Sequence, residues 1–439
     1  MGALKGNILG VWRLVSPAAR QTAFLFGVDS FTNVVDYGFH VYLGRALIPG
    51  QFAVVQTVNA VFLIVVTAFG VMQPVMARFV AESEIGDNVV LTAGRPPSRV
   101  IFQRFFRFGA VLGLLLTGLV WLGRYPLGLW LNVPSAAVGL GASMILLALL
   151  RPVVGGMLQG QQRFVAFGST RSIHAVGRLA AGVLLISLGG GALAAIAAFP
   201  IGGALALLGG LLFLGIAVWR PGTPPQKTLW RDAFRLSAAA FVGFAAYMSM
   251  MNSDLIWVNR SFSGETAGAY ASAVLLRRVM ALLPGAVLVV MYPRVVRRVS
   301  RGQLPDSILW KAAAVICAST ITLTGFYAFF APAIVQVAFG QAYGAAAPLL
   351  GWMGVGMLGY GLASIWMNLY LATRPLPYVV LLATMAILQH VLLSSFRESV
   401  YQATAIFVAA GWVLALGGLL IYMLVLRPHL LRTSVEGES

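Results

Sequence analysis

One cysteine, Cys317, is all that 439 residues contain, so no disulfide can form within the chain and no thiolate cluster is available to a metal. It lies inside an apolar run and reads as a small buried hydrophobe. Acids are also scarce, 12 against 30 Lys and Arg, and charged residues of both signs make up 10% of the chain, where a soluble domain carries about 25%. A soluble fold cannot hide the 59% of residues that are hydrophobic. A phosphate-cradling Gly-rich loop, a nucleophile elbow and a metal-ligand cluster are missing too, so no cofactor, no metal and no ATP hydrolysis within the chain are expected.

What the chain does have is long apolar runs. A span needs about 20 apolar residues, and suitable stretches lie near 21–44, 52–75, 104–123, 135–158, 167–188, 192–218, 234–258, 267–293, 308–331, 345–372, 376–395 and 403–426. Runs such as "LALLGGLLFLGIAV" lack the alternation of outer-membrane strands. The expectation is therefore an all-α polytopic membrane protein of about 12 transmembrane helices in an inner or plasma membrane.

The net charge of +18 follows topology rather than a nucleic-acid face. Loops on one side hold Arg95 and Arg99; Arg220, Lys227 and Arg231; Arg294, Arg297, Arg298 and Arg301; and Arg427 with Arg432. Opposite loops hold only Arg45, Arg124, Arg260 and Arg397. Roughly twenty cations against four place the basic side, and both termini, in the cytoplasm. No compact apolar core with a cleavage site precedes the first span, so no cleaved leader is expected.

The chain also repeats itself. Asp36, Gly50 and Phe52 recur as Asp254, Gly268 and Tyr270, each 218 positions on and without a gap. Many transporters are built from two such halves, with the substrate path where the halves meet. The Pro-rich connector "WRPGTPPQKTLWRD" puts the boundary between a six-helix lobe at 1–220 and another at 221–439, pseudo-symmetric to each other. A second interruption, from Glu82 to Arg99, has room for a short surface helix and shows no catalytic pattern. External loops, "GRYPLGLWLNVPS" among the longest, are too short to hold a glycan acceptor, which disfavours an enzyme.

Polar residues inside the spans mark protein or water, because a charge at the bilayer centre costs roughly 2.5–3.5 kcal/mol on insertion scales. Asp29, Asn33, Asp36 and His40 are 4, 3 and 4 residues apart and form one stripe on the first span. Interhelical hydrogen bonding explains such a stripe, and so does a proton or cation relay. Arg178 in the fifth span and Arg277 in the eighth both lie near mid-depth, with Arg278 adjacent and His174 and Arg171 on the face of Arg178. These cations suit a pyrophosphate, which a guanidinium fork fits well. The other reading pairs them with Asp29, Asp36 or Asp254 in buried salt bridges. Arg151 can snorkel and is ambiguous. Trp352, Tyr360, Trp366 and Tyr370 in the tenth span read as packing residues, and His390 as a satisfied polar partner.

The runs "YLGRALIPGQFAVVQTVNAVFLIVVTAFGVMQPVMARFVAE", "GMLQGQQRF", "NSDLIWVNRSFSGETAGAYASA…MYPRVVRR" and "FAPAIVQVAFGQAYGAAAPLL" occur in this order. Together they resemble the oligosaccharide flippase (polysaccharide biosynthesis) branch of the multidrug/oligosaccharidyl-lipid/polysaccharide exporter superfamily. The resemblance implies two six-helix bundles that rock between inward-open and outward-open forms. It also implies a cationic cavity and a polyprenyl-pyrophosphate-linked oligosaccharide as cargo, destined for O-antigen, capsule or exopolysaccharide. Asp254, Gly268 and Tyr270 are the motif positions, and their implied role is structural. Expected partners are the lipid-linked oligosaccharide, membrane lipids, and a glycan polymerase with glycosyltransferases; the chain itself is expected to be a monomer. The competing functions are an ion-coupled exporter of cationic drugs and a non-transporting scaffold of a glycan-assembly complex.

Overall fold

The computed structural model describes residues 17–86, 97–221, 228–373, 376–428 and Leu431. Its helices run Pro17–Ala46 (α1), Pro49–Gly70 (α2), Met72–Gly86 (α3), Ser98–Leu122 (α4), Arg124–Leu131 (α5), Ser135–Gly160 (α6), Phe164–Ser187 (α7) and Ala192–Leu214 (α8). Beyond the connector they continue as Thr228–Ser261 (α9), Gly264–Met280 (α10), Leu282–Val299 (α11), Asp306–Ala338 (α12), Ala347–Thr373 (α13), Leu376–Ser395 (α14) and Val400–Ile421 (α15). Among the described residues nine helical stretches are long and apolar enough to cross a membrane. Three further helices, α1, α7 and α9, are 30, 24 and 34 residues long and bring the total to twelve. These three are the ones that carry Asp29 and Asp36, Arg171 and Arg178, and Asp254, and those charges hold them below the apolarity of the rest.

Two spans break, and proline sits at both breaks. Pro74 and Pro284 are each the third residue of the second piece of an interrupted helix. Lacking an N–H, each proline leaves the carbonyl four residues earlier unclaimed. Those carbonyls belong to Gly70 and Met280, the residues on which α2 and α10 end. The loop "GRYPLGLWLNVPS" is a correction to the loop reading: it contains α5, which Asn132 ends in the left-handed conformation at φ 55°. Asparagine tolerates that conformation better than most residues. Residues 87–96 and 222–227, which take in most of the Glu82–Arg99 segment and the middle of the connector, lie outside the described residues.

The chain forms two compact units. The first takes residues up to Tyr42, Phe69–Leu122 and Gly139–Ala233. Within it α8 lies directly on α7. A Cβ on Gly202 would sit 2.7 Å from the His174 carbonyl oxygen and 2.8 Å from the Arg178 backbone nitrogen, so the missing side chain lets the helices touch where α7 carries its charges.

The second unit takes Leu43–Ala68, Gly123–Val138 and the chain from Phe234 onward. Its core uses the same device between α13 and α15, where a Cβ on Gly359 would meet the Gly411 carbonyl carbon at 2.7 Å. Aromatics fill the remainder as packing residues: Tyr360 stacks on Phe407 at 4.7 Å and Trp366 on Tyr422 at 5.6 Å. His390 is satisfied, bonding the Ser249 hydroxyl at 2.9 Å and accepting from the Trp257 indole at 3.0 Å.

Segments from the first half of the sequence are stitched into this unit by polar contacts. Asn132 donates its amide to the Asn259 carbonyl at 2.9 Å, and Asn259 returns its own to the Leu131 carbonyl at 2.9 Å. Arg260 donates to the Trp130 carbonyl at 3.1 Å and lies over the rings of Trp130 and Trp257. Arg45 caps the end of α12 through the carbonyls of Val337 and Ala338. Backbones meet where the repeat motif lies: a Cβ on Gly268 would fall 2.4 Å from the Pro49 carbonyl oxygen. Gly268 is therefore glycine because α2 begins against it.

Candidate functional site

In the first unit the polar stripe of α1 is met by a matching stripe on α7. Asp29 pairs with Arg171, and Asp36 with Arg178. Both pairs span 142 positions, because the acids and the bases are each 7 residues apart. Equal spacing places two rungs about 10 Å apart along helices that run the same way. At the upper rung the base is enclosed: Arg178 is 7% exposed, and its guanidinium lies over the rings of Phe39 and Phe199 at 4.9 and 5.0 Å, while the Asp36 side chain stays 32% exposed. The lower rung is open, with the side chains of Arg171 and Asp29 40% and 42% exposed.

Three more groups complete the cluster. His40 is buried beside Phe39 and Phe199, one turn above Asp36. His174 sits between Arg171 and Arg178, and its Nδ1 is buried without a hydrogen-bond partner, as is Nε of Arg178. Arg151, from α6, lies within electrostatic reach of Arg178, Asp36 and Arg171 and has no carboxylate of its own among the described residues. Three arginines thus meet two aspartates. Asn33 sits on the same face of α1 between the two rungs. A cleft of about 790 Å³ lies one to two turns below the open rung, lined in part by Phe24, Arg163 and Ser169.

The second unit treats its charges differently. Asp254 and Arg277 are both completely buried. Arg277 grips both carboxylate oxygens, with Nη2 donating to Oδ1 at 2.8 Å and Nη1 to Oδ2, and Nη2 also donates to the Met251 carbonyl at 2.6 Å. Tyr270 donates to Asp254 Oδ2 at 2.6 Å, and the Phe407 ring lies 3.8 Å under the guanidinium. Arg277 therefore does not stand as a free cation: the buried salt-bridge reading describes it. Arg278, half-buried, donates to the Asn252 side-chain oxygen at 2.6 Å.

Within the first unit's cluster the bases thus outnumber the acids by one, and the base without an ion pair among the described residues is Arg151, a residue that hydropathy alone leaves undecided because it sits where a long side chain can reach an interface. The two rungs do have a sequence signal. Asp29/Asp36 and Arg171/Arg178 share one spacing on two spans that odd numbering makes parallel. The asymmetry of the repeat has none: Asp36 and Asp254 are equivalent by offset, yet the first is clasped from α7 and the second from α10.

The family described as polysaccharide biosynthesis protein matches the chain over residues 18–298. Among solved structures, an inward-facing multidrug resistance MATE family transporter of the MOP superfamily superposes with a TM-score of 0.76 at 12% identity, covering 91% of this chain and 95% of that one. The lipid II flippase MurJ, in an inward closed conformation, superposes with a TM-score of 0.71 at 12% identity, covering 91% and 87%. A MOP superfamily transporter from Pyrococcus furiosus, described as having a binding pocket of reverse polarity, gives 0.62 at 13% identity, covering 90% and 91%. At these identities the likeness is one of fold. No curated protein sequence matches the chain.

Proposed function

The chain belongs to the polysaccharide biosynthesis protein family, and from that premise we propose that it is a flippase for a polyprenyl-pyrophosphate-linked oligosaccharide. It moves the cargo across the cytoplasmic membrane by alternating access between its two six-helix lobes, for assembly of O-antigen, capsule or exopolysaccharide. The observation that carries this reading is the positive surplus of the α1–α6–α7 cluster: Arg151 has no ion pair among the described residues, and the Nε donor of neighbouring Arg178 is buried without a partner. Buried donors without acceptors are costly, and an anion satisfies them.

In this reading Arg151 meets the pyrophosphate first, and Arg171 and His174 add donors. Arg178, fixed between two rings and Asp36, holds the geometry. Arg278 is a further candidate substrate contact, and Arg277 serves the fold. The sugars travel in a hydrated interior while the polyprenyl tail remains in lipid, which avoids stranding hydroxyls in hydrocarbon. Membrane lipids, a glycan polymerase and glycosyltransferases are its partners. It works as a monomer in the inner membrane, with both termini cytoplasmic.

Arg151→Gln is expected to cut flipping in a deletion strain by on the order of tenfold or more, the scale of a lost charge-assisted hydrogen bond, while Arg151→Lys retains most of it. Accumulation of linked oligosaccharide on the cytoplasmic leaflet is the measurement. Full flipping by Arg151→Gln at normal protein level would remove the site.

One observation favours a second reading. The side chains of Asp29 and Asp36 are 42% and 32% exposed, so a cation or proton can reach them. An ion-coupled exporter of cationic drugs would lose efflux of a lipophilic cation in Asp29→Asn and Asp36→Asn, whereas a flippase with a purely structural ladder would keep its transport in Asp29→Asn.

A further inference from the structure

A cleft of about 770 Å³ opens between α11 and α12 in the second unit, apart from the ladder and the buried Asp254 pair. Arg294, Arg297, Arg298, Arg301 and Lys311 line one end of it. On α11 and the turn after it the arginines fall at i, i+3, i+4 and i+7, so they share one face. The same face continues toward the bilayer as Val290 and Val287, and Val315 approaches from α12. One stripe is therefore basic at one end and apolar at the other.

The acid nearest this turn is already occupied. Asp306 accepts from Arg427 at 3.2 Å and from the Tyr422 hydroxyl. Among the described residues none of the five cations is paired with a carboxylate. Arg298 is held in place by the Leu304 carbonyl at 3.3 Å and the Ser307 hydroxyl at 3.1 Å. Tyr292 and Trp310, 39% and 47% exposed, lie near the basic end, and such rings favour the level of lipid headgroups.

We propose that this cleft binds an anionic glycerophospholipid of the bilayer, its phosphodiester held by the arginine face and its acyl chains laid against Val287, Val290 and Val315. Charge complementarity and the polarity gradient along α11 both fit a ligand with a negative head and an apolar tail. Basic pockets between transmembrane helices take anionic lipid headgroups for the same reason. The assignment does not depend on which cargo the protein carries.

The test is native mass spectrometry of the full chain in detergent, titrated with phosphatidylglycerol or phosphatidylcholine of the same acyl chains. Preferential occupancy by phosphatidylglycerol is expected. The triple variant Arg294→Gln/Arg297→Gln/Arg301→Gln should lower that preference by about tenfold or more, given the contribution of each basic residue near a lipid surface. Should the triple variant fail to fold, Arg301→Gln/Lys311→Gln, which touches no observed hydrogen bond, carries the same expectation in smaller degree. Equal occupancy by the two lipids, or an unchanged preference in the variants, would overturn the proposal. So would displacement of the lipid by free glycerophosphoglycerol or inorganic pyrophosphate at matched concentration, since that marks a soluble-phosphate site. Displacement at lower concentration by a polyprenyl pyrophosphate would reassign the cleft to the transported cargo.

Discussion

Replacing Asp254 by alanine is expected to leave no monodisperse protein, with a loss of about 3–5 kcal/mol in folding free energy. The carboxylate is completely buried and receives both terminal nitrogens of Arg277 and the hydroxyl of Tyr270. Removing it strands a guanidinium that has one carbonyl acceptor left, Met251 O, and a ring beneath it. A partner-less charge in this position costs more than the pair contributes, because desolvation of both ions offsets most of their attraction. The double variant Asp254→Leu/Arg277→Met is therefore expected to recover much of the folded yield that either single change loses. Thermal unfolding in detergent, followed through a double-mutant cycle, measures the coupling. A single variant as stable as the parent would show that the pair is not a keystone of the second unit.

The same pair shows how far sequence reading reaches. Twelve spans were legible because apolar length is a strong signal, and the first and fifth were legible despite their charges because those charges fall on one helical face. Helix lengths were less so. The run near 308–331 is a helix of 33 residues, Asp306–Ala338, about 50 Å long, against a hydrocarbon core of about 30 Å. Hydropathy reports where the chain meets lipid, and a helix continues past that level into polar turns. Likewise α5 was hidden, since eight residues are too few to carry a membrane-length signal and a Pro and a Gly interrupt the apolar pattern.

Which cation meets which acid depends on helix neighbours rather than on helices. Asp36 and Asp254 occupy equivalent places in the repeat, and nothing in their local sequence says that one answers to α7 and the other to α10. Depth alone grouped Arg178 with Arg277. The structure separates them: one belongs to a ladder with an extra positive charge nearby, the other to a closed knot. Both aromatic positions of the repeat are buried, but Phe52 packs against Phe339 and Tyr343 while Tyr270 spends its hydroxyl on Asp254. A shared position in a duplicated sequence preserves placement more readily than partner.

Unlatching the Asn132–Asn259 exchange is expected to bias the protein toward an outward-open form. Arg45, Arg260 and Arg397 lie on the side where the positive-inside rule leaves few cations, and each is engaged. Arg45 and Arg260 cap backbone carbonyls of distant helices, and Arg397 lies 5.1 Å over the Trp257 ring. Asn259, only 4% exposed, joins α9 to the end of α5 in both directions. All of these contacts lie within the second compact unit, so they bear on the cycle if α5 and the start of α2 shift against α9 and α12 when the outer side opens. Asn259→Leu with Arg45→Ala removes the side-chain donors of Asn259 and Arg45 and leaves Asn132 bonded to the main-chain carbonyl of residue 259; at about 0.5–1.5 kcal/mol net for each lost bond, the outward-open population should rise by on the order of ten- to a few hundredfold. In a Cys317→Ser background carrying Asn33→Cys on the α1 stripe, labelling by a membrane-impermeant maleimide from outside reports that population. Faster labelling in the latch variant, with unchanged labelling from inside-out vesicles at saturation, is the expected pattern. An unchanged outside rate would mean that these contacts hold the second unit together without governing access, and the outer arginines would then be structural caps alone.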